Sequence, residues 1–488
     1  METPPPPARA KEAEEQTPTC PALNVVKTRD DKKPVFFKLN SGDSTDYEVV
    51  PTSELHFQGS PYQDYRFEDT PSWTKDGRFA KKDLRQRIEP WLTALFQSEH
   101  FSLLVGSGIT HAVHYMAANG PAAGLDGEDF GDFSQPINAA AKKSAERIGR
   151  KNPNLEDQLR VANELLRGLE VQGEQSAGTL KAEIEAKLKG FAKSILDSER
   201  GIATAENTER EKAFNTLVNF LMSFASRTGT RDRLNIFTTN YDRVIEAGAE
   251  IAGLHLIDRF IGNLSPIFRS SRLDLDMHYN PPGIRGEPRY LEGVARFTKL
   301  HGSVDWIQVE DEIRRLGLPF GATTIKPYFQ APGFEGVDAH KLMIYPNAAK
   351  DVETSQFPYV ELFRDFAAAL CRPNSTLVTY GYSFGDDHIN RVIRDMMTIP
   401  STHLVIISRD DNLGQILSHY EQKIGRPSQM SLLLGPELAD LTNLTENYLP
   451  KSAIDRQTSR MSELLKMRYG TKDAEKKSED QSEGEKTP

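Results

Sequence analysis

Short apolar runs, each ending in glycine or polar residues, alternate along the middle of the chain with stretches of helical spacing. Leu84, Ile88, Trp91, Leu92 and Leu95 recur on one face and predict an amphipathic helix over about 82–97. The run Phe101-Ser102-Leu103-Leu104-Val105 then stops at Gly106-Ser107-Gly108; its length and flanking glycine predict a buried strand. Further strand-like runs lie at 234–238, 297–300, 342–345, 376–380 and 404–407. Helical faces lie between most of them, one through Val244, Ile245, Gly248, Ile251 and Ala252, another through Leu362, Phe363, Phe366 and Leu370. Near-continuous apolar strands alternating with helices predict an α/β fold, a parallel sheet covered on both faces.

The stretch from 119 to 230 breaks this alternation. One stripe runs through Leu155, Leu159, Ala162, Leu166 and Leu169, a second through Leu180, Ile184, Leu188, Phe191 and Ile195, and a third through Phe214, Leu217, Leu221 and Phe224. They predict a helical insertion over about 120–230, a small bundle packed on the core in preference to a coiled coil. Residues 1–80 are expected to form a mostly disordered extension, because the first 35 or so are rich in Pro, Glu, Lys and Thr; Val35-Phe36-Phe37 is its one strand candidate. The main domain then spans 81–460, and the charged tail 461–488 is expected to be disordered.

Composition narrows the function classes. With 38% hydrophobic residues in 488, the chain can bury a large core, and a net charge of −10 argues against a general nucleic-acid coat. No direct nucleic-acid binding is expected. No apolar run approaches the roughly 18–20 residues of a membrane helix, and the start, Met1-Glu2-Thr3 followed by four prolines, lacks the apolar segment of a signal peptide. Cys20 and Cys371 lie far apart, which excludes a four-thiolate zinc site and argues against a disulfide framework. A cytoplasmic protein without a metal is the expectation.

The chemistry-bearing residues follow the strands. Gly106-Ser107-Gly108-Ile109-Thr110 comes after the first, Thr239-Asn240-Tyr241-Asp242 after the second, His301-Gly302-Ser303 after the third, and Gly381-Tyr382-Ser383-Phe384-Gly385-Asp386-Asp387 after the run at 376–380. In an open parallel sheet, ligands bind at the carboxyl ends of strands. Taken singly, each motif has a plainer reading. Gly106-Ser107-Gly108 is a tight turn or a phosphate cradle, and it lacks the third glycine of the dinucleotide fingerprint. Asn240 and Asp242 stand where helix caps are favoured. His301 is a structural histidine or a general base at a strand end. Asp386-Asp387-His388 reads as a helix cap in preference to a metal site, since consecutive residues rarely converge on one ion.

As an ordered set these motifs resemble the sirtuins. Gly106-Ser107-Gly108-Ile109-Thr110 is similar to their Gly-Ala-Gly-Ile-Ser, Thr238-Thr239-Asn240-Tyr241-Asp242 to Thr-Gln-Asn-Ile-Asp, Lys299-Leu300-His301-Gly302-Ser303 to Leu-His-Gly-Ser, and Gly381-Tyr382-Ser383-Phe384 to Gly-Thr-Ser-Leu. The match covers about 82–450. Ile344-Tyr345-Pro346, Pro358-Tyr359 and the segment 381–390 resemble the bacterial branch of antiphage defence more than the histone deacylases. Departures are the missing four-cysteine zinc module, the absent Asp-Phe-Arg segment (Glu128-Asp129-Phe130 is followed by glycine), and Thr239 in place of glutamine.

The resemblance implies a Rossmann-like domain that cleaves the nicotinamide–ribose bond of NAD, giving nicotinamide and ADP-ribose. It implies Asn240 and His301 as catalytic residues, with Asn240 positioning water or ribose hydroxyls and His301 acting as general base. Gly106, Ser107 and Gly108 would take the pyrophosphate, Asp242 would lie on the nicotinamide side, and Gly381 and Ser383 would hold the adenosine half. Ile109, Thr239, Phe384 and Asp387 complete the implied NAD contacts. NAD-dependent protein deacylation or ADP-ribosyl transfer, and a non-catalytic NAD or ADP-ribose sensor, are the alternatives. Family members work with HerA-type DNA-translocating ATPases, with Argonaute proteins, or alone. An unrestrained NADase would kill its host, so activity gated by a partner or by oligomerisation is expected. The three apolar stripes of the insertion, more than a sheet needs to cover itself, point to a homo-oligomer.

Overall fold

The computed structural model describes residues 23–451 apart from 41–45, 57–61, 63–64, 148–151, 228–230, 271–275, 280–288, 331–333, 335–341, 345–356, 412–413 and 425. In chain order the strands are β1 (Asn24–Lys27), β2 (Val35–Leu39), β3 (Asp46–Val49), β4 (Arg78–Ala80), β5 (His100–Val105), β6 (Asn235–Thr238), β7 (His255–Ile257), β8 (Phe260–Ile261) and β9 (Ile267–Phe268). After a two-residue pair, β10 (His278–Tyr279) with β11 (Arg289–Tyr290), come β12 (Val294–Lys299), β13 (Gly302–Val309), β14 (Glu312–Arg315), β15 (Leu342–Ile344), β16 (Ser375–Tyr380), β17 (His403–Ser408) and β18 (Met430–Leu434).

The protein is α/β and Rossmann-like. Its main sheet runs β4-β3-β2-β1-β18-β17-β16-β5-β6-β12-β7. From β18 to β7 every pairing is parallel. Residues alternate between two buried faces: Phe101, Leu103 and Val105 of β5 point into one core with Val405 and Ile407 of β17, while Leu104, Leu404 and Ile406 point into the other. Helices Lys81–Phe96, Ser107–Ala118, Asn207–Ala225 and Val244–Ile251 cover the first face, and Tyr359–Leu370 and Asp387–Met397 the second. From β5 the chain moves outward through β6 to β12; from β16 it moves the opposite way through β17 to β18. The strand order therefore reverses between β5 and β16, which opens a crevice above their carboxyl ends.

Three features differ from the sequence expectations. The N-terminal extension, expected to be mostly disordered, pairs antiparallel onto β18 and adds four strands to the sheet. Two short apolar clusters of the extension, Val25-Val26 and Val35-Phe36-Phe37, are buried throughout; diluted among charged neighbours, they are invisible to a compositional reading. Covering β18 in this way removes an open edge from the core of the sheet. Residues 1–22 and the charged tail lie outside the described residues.

The run at 342–345 does not join the parallel sheet. Strand β15 pairs antiparallel with β13 in a separate five-stranded sheet, β15-β13-β14-β9-β8. The insertion also divides. Helices Leu155–Gln172 and Ser176–Ala203 share a third core with Val304, Ile307 and Leu316 of the small sheet and the segment after it, whereas Leu217, Leu221 and Phe224 of the third stripe, with Phe220, face the main sheet. Leu155, Leu159, Leu180, Ile184, Phe191 and Ile195 are all buried within the chain. Leu166, Leu169 and Leu188 of the same stripes are half-buried.

Candidate active site

Four strand ends meet at the reversal point, from β5, β6, β12 and β16. They line a cleft of about 210 Å³ with Gly106, Ser107, Thr239, Asn240, Asp242, His301, Gly381, Ser383 and Asp386 on its wall. The register explains the convergence. Val105 is level with Thr238 on one side and with Tyr380 on the other, and Lys299 is level with Thr238, so the motif after each strand emerges at the same height.

His301 sits between β12 and β13. Gly302 after it has φ +87, a left-handed conformation that suits glycine and lets the chain leave the main sheet for the small one. The His301 ring places Nε2 2.9 Å from Asp386 Oδ2, and its side chain is 12% exposed. The carboxylate accepts the Nε2 proton, which fixes the tautomer and leaves Nδ1 as the basic nitrogen. Asp386 does two jobs. Oδ1 accepts the backbone N–H of His388 at 2.9 Å and caps helix Asp387–Met397, while Oδ2 takes the histidine. The capping reading was right, and it concealed the second role. Phe384, at φ +57, makes the turn that brings Asp386 back over the cleft; Asn390 Nδ2 holds its carbonyl at 2.8 Å.

Asn240 is not a cap. Its Nδ2 donates to the Gly106 carbonyl at 3.0 Å and to Thr110 Oγ1 at 2.9 Å. Because the Gly106 carbonyl can only accept, the amide orientation is determined: both N–H groups are spent, and Oδ1 is the free acceptor. Thr110 passes its own proton to Asp242 Oδ2 at 2.8 Å, and Asp242 Oδ1 accepts Val244 N–H at 3.0 Å. Asp242 is therefore an acceptor at the start of helix Val244–Ile251 and a cleft carboxylate together. Lys299, fully buried, donates to the Asp242 carbonyl and pairs with Glu246 at 3.0 Å, tying the loop to β12.

The insertion supplies the opposite wall through Ala123, Leu125, Asn154, Glu156, Phe191 and Ile195. Tyr241 joins the two halves. Its hydroxyl donates to Glu156 Oε1 at 3.0 Å, its ring packs edge-on against Phe191, and it lies 6.2 Å from the His301 ring. Burial, reinforced by the Glu156 charge, holds the Tyr241 phenol well above its ordinary range, so it stays protonated as a donor. His111 also faces the cleft; burial, with His114 beside it, lowers its pKa and keeps it neutral.

Several residues expected to contact NAD are placed elsewhere. Ile109 and Phe384 are buried in the two main cores, and Asp387 is exposed in the first turn of its helix, off the cleft wall. Gly108 and Gly381 pack backbone on backbone: Gly108 N–H donates to the Gly381 carbonyl at 3.2 Å, and a Cβ on Gly381 would stand 2.5 Å from Gly108 Cα. Their smallness joins two loops across the reversal point. Gly106 N–H is also taken, by the Tyr380 carbonyl at 3.0 Å, which leaves Ser107 as the exposed polar group of this turn. Sequence reasoning missed Asp386 as the partner of His301, and it missed Glu156, Tyr241 and His111. Two of them carried a signal by lying in a strand-end motif, Asp386 one residue after Gly385 and Tyr241 between Asn240 and Asp242.

Among the described residues no three His, Cys, Asp or Glu side chains group to hold a metal. Treatment with EDTA is expected to change neither the activity nor the melting temperature; a loss restored by one divalent metal would overturn this. Among the described residues no helix is long and apolar enough to cross a membrane.

The Rossmann-like sheet thus carries a His–Asp pair, a locked asparagine and a cleft carboxylate at its reversal point, the place where open α/β sheets bind their ligands. Residues 234–426 match the family model of the SIR2-like domain. That segment contains Asn240, His301 and Asp386 and begins after the β5 turn, and the match fits an NAD-related activity. No curated protein matches the chain.

Proposed function

We propose that the protein is an NAD⁺ hydrolase that breaks the nicotinamide–ribose bond and releases nicotinamide and ADP-ribose. The observation that carries this reading is the His301–Asp386 pair facing the free Oδ1 of Asn240 across one cleft. Nicotinamide leaves with the bonding electron pair and becomes neutral, and C1′ becomes an oxocarbenium-like cation. Asp242 gives that developing positive charge a nearby anion. Asn240 Oδ1 accepts a hydrogen bond from the attacking water and orients it, and His301 Nδ1 takes the proton released as water adds to C1′. One NAD⁺ and one water thus give nicotinamide, ADP-ribose and one proton. Ser107 and Ser383, both exposed on the cleft wall, are the polar groups for the phosphates and the adenosine half.

Water as acceptor, in place of an acyl-lysine, is favoured because insertion residues such as Ala123, Leu125 and Phe191 line the cleft and the four-cysteine zinc module is missing. Nicotinamide release with and without an acetylated peptide tests this. Release without peptide is the expected result; release only with peptide means a deacylase, and none under either condition means a sensor. The antiphage role rests on the resemblance of the segment 381–390 to that branch. Loss of NAD in phage-infected cells carrying the protein is the expected result.

Asn240→Ala is expected to reduce turnover at least about a hundredfold while NAD still binds, since a positioning group is lost and the other polar walls remain. Calorimetry with NAD checks it. A folded variant that no longer binds NAD would make Asn240 a binding residue.

A further inference from the structure

A second cavity, of about 660 Å³, lies behind the catalytic loop, between helix Val244–Ile251, the edge strand β7 and the small sheet. It shares no lining residue with the cleft. Its size is that of a small-molecule site. Leu254, Phe260, Phe297 and Leu318 supply buried apolar walls, and the polar groups converge on one region.

The hydrogen-bonding capacity left over there has a definite sign. Asp305 is 6% exposed, and Oδ1 has no donor among the described residues. Its other oxygen lies 3.7 Å from Arg315 Nε, too long for a hydrogen bond. Glu246 uses Oε1 on Lys299 at 3.0 Å, but its Oε2 is buried without a donor. The two guanidiniums on the wall are committed elsewhere. Arg243 binds Glu199 and the carbonyls of Leu318 and Pro319, and Arg315 binds Asp258 at 2.8 Å and stacks on Phe260, its Nε buried without an acceptor among the described residues. Two carboxylate oxygens thus want donors and one N–H wants an acceptor. Burial, and after Lys299 the charge of Asp305, shape the Glu246 carboxyl, whose pKa is raised. An added positive charge would relieve both acids.

We infer that this cavity binds a small organic cation bearing N–H donors, a guanidinium or primary ammonium, held between Glu246 Oε2 and Asp305 Oδ1. The occupant would communicate with the cleft through one side chain. Lys299 bridges Glu246 and the Asp242 carbonyl, so a cation that competes for Glu246 changes how tightly Lys299 holds the loop carrying Asn240 and Asp242.

Calorimetry on the full chain with agmatine, which carries a guanidinium and an ammonium, tests the site without reference to catalysis. Saturable one-to-one binding is expected, with none for the uncharged 1,5-pentanediol. Asp305→Asn and Glu246→Gln should each weaken agmatine binding about tenfold or more. Ala247→Phe, which fills the cavity from its wall, should abolish binding with the melting temperature retained. Absence of saturable binding at millimolar agmatine, equal binding of the diol, or unchanged affinity in the folded variants overturns the inference. A titration of agmatine at saturating NAD then measures the coupling, which must be equal in both directions.

Discussion

His301→Ala is expected to lower nicotinamide release by about 10²–10⁴-fold, the usual cost of losing a general base, and to leave the fold intact. The ring makes one hydrogen bond within the described residues, to Asp386, so removing it leaves Asp386 still engaged by the helix it caps. Asp386→Asn is the more informative companion. Its Oδ1 remains on the His388 N–H, and the amide then presents N–H to His301 Nε2. That forces the imidazole to carry its proton on Nδ1, the nitrogen proposed as the base, and the base is lost although nothing has moved. Activity is expected to fall by a factor similar to that of His301→Ala, with a small change in melting temperature. Release by Asp386→Asn near the wild-type rate would show that the pair is structural.

Glu199→Ala is expected to destabilise the protein by about 3–5 kcal/mol, the range for breaking a buried ion pair from one side. Glu199 is wholly buried in the long helix Ser176–Ala203, where it accepts from Arg243 N–H at 2.8 Å and from the guanidinium at 2.5 and 3.2 Å. Arg243 directly follows the loop bearing Asn240 and Asp242 and also donates to Leu318 and Pro319 carbonyls of the segment after the small sheet. The truncated variant strands a guanidinium where insertion, loop and small sheet meet. Urea unfolding measures the loss. The double variant Glu199→Met, Arg243→Leu should recover part of it, because apolar groups of similar size remove the unpaired charge; failure of that recovery would locate the effect in packing alone.

The split between local pattern and tertiary contact runs through particular residues. Buried strands β5, β6, β12, β16 and β17 are legible because a run of apolar residues ended by glycine or polar groups has few other uses, and the same ends mark where a ligand site belongs. Asn240, His301 and Asp242 were legible as strand-end polar residues for that reason, and they line one cleft. Strand order was not legible. It determines that β5 lies beside β16, and with it that Gly108 packs on Gly381, so glycines that look like a phosphate turn serve to bring two loops into contact.

Charge partners belong to the tertiary structure for the same reason. Asp386 stands 85 residues beyond His301, and Glu156 stands 85 before Tyr241. A carboxylate near a helix start has a satisfactory local explanation as a cap or first-turn acid, and only the folded sheet reveals where its second oxygen points. The N-terminal strands follow the same logic: Val25, Val26 and Val35-Phe36-Phe37 are too short to signal a domain, and they become ordered because the edge of β18 offers them backbone partners and an apolar face. The local pattern of this chain determined its elements and the height at which its chemistry is displayed. Which displayed groups touch was decided by the crossovers that order the strands, because a hydrogen bond needs approach within about 3 Å, and no spacing along the chain encodes that.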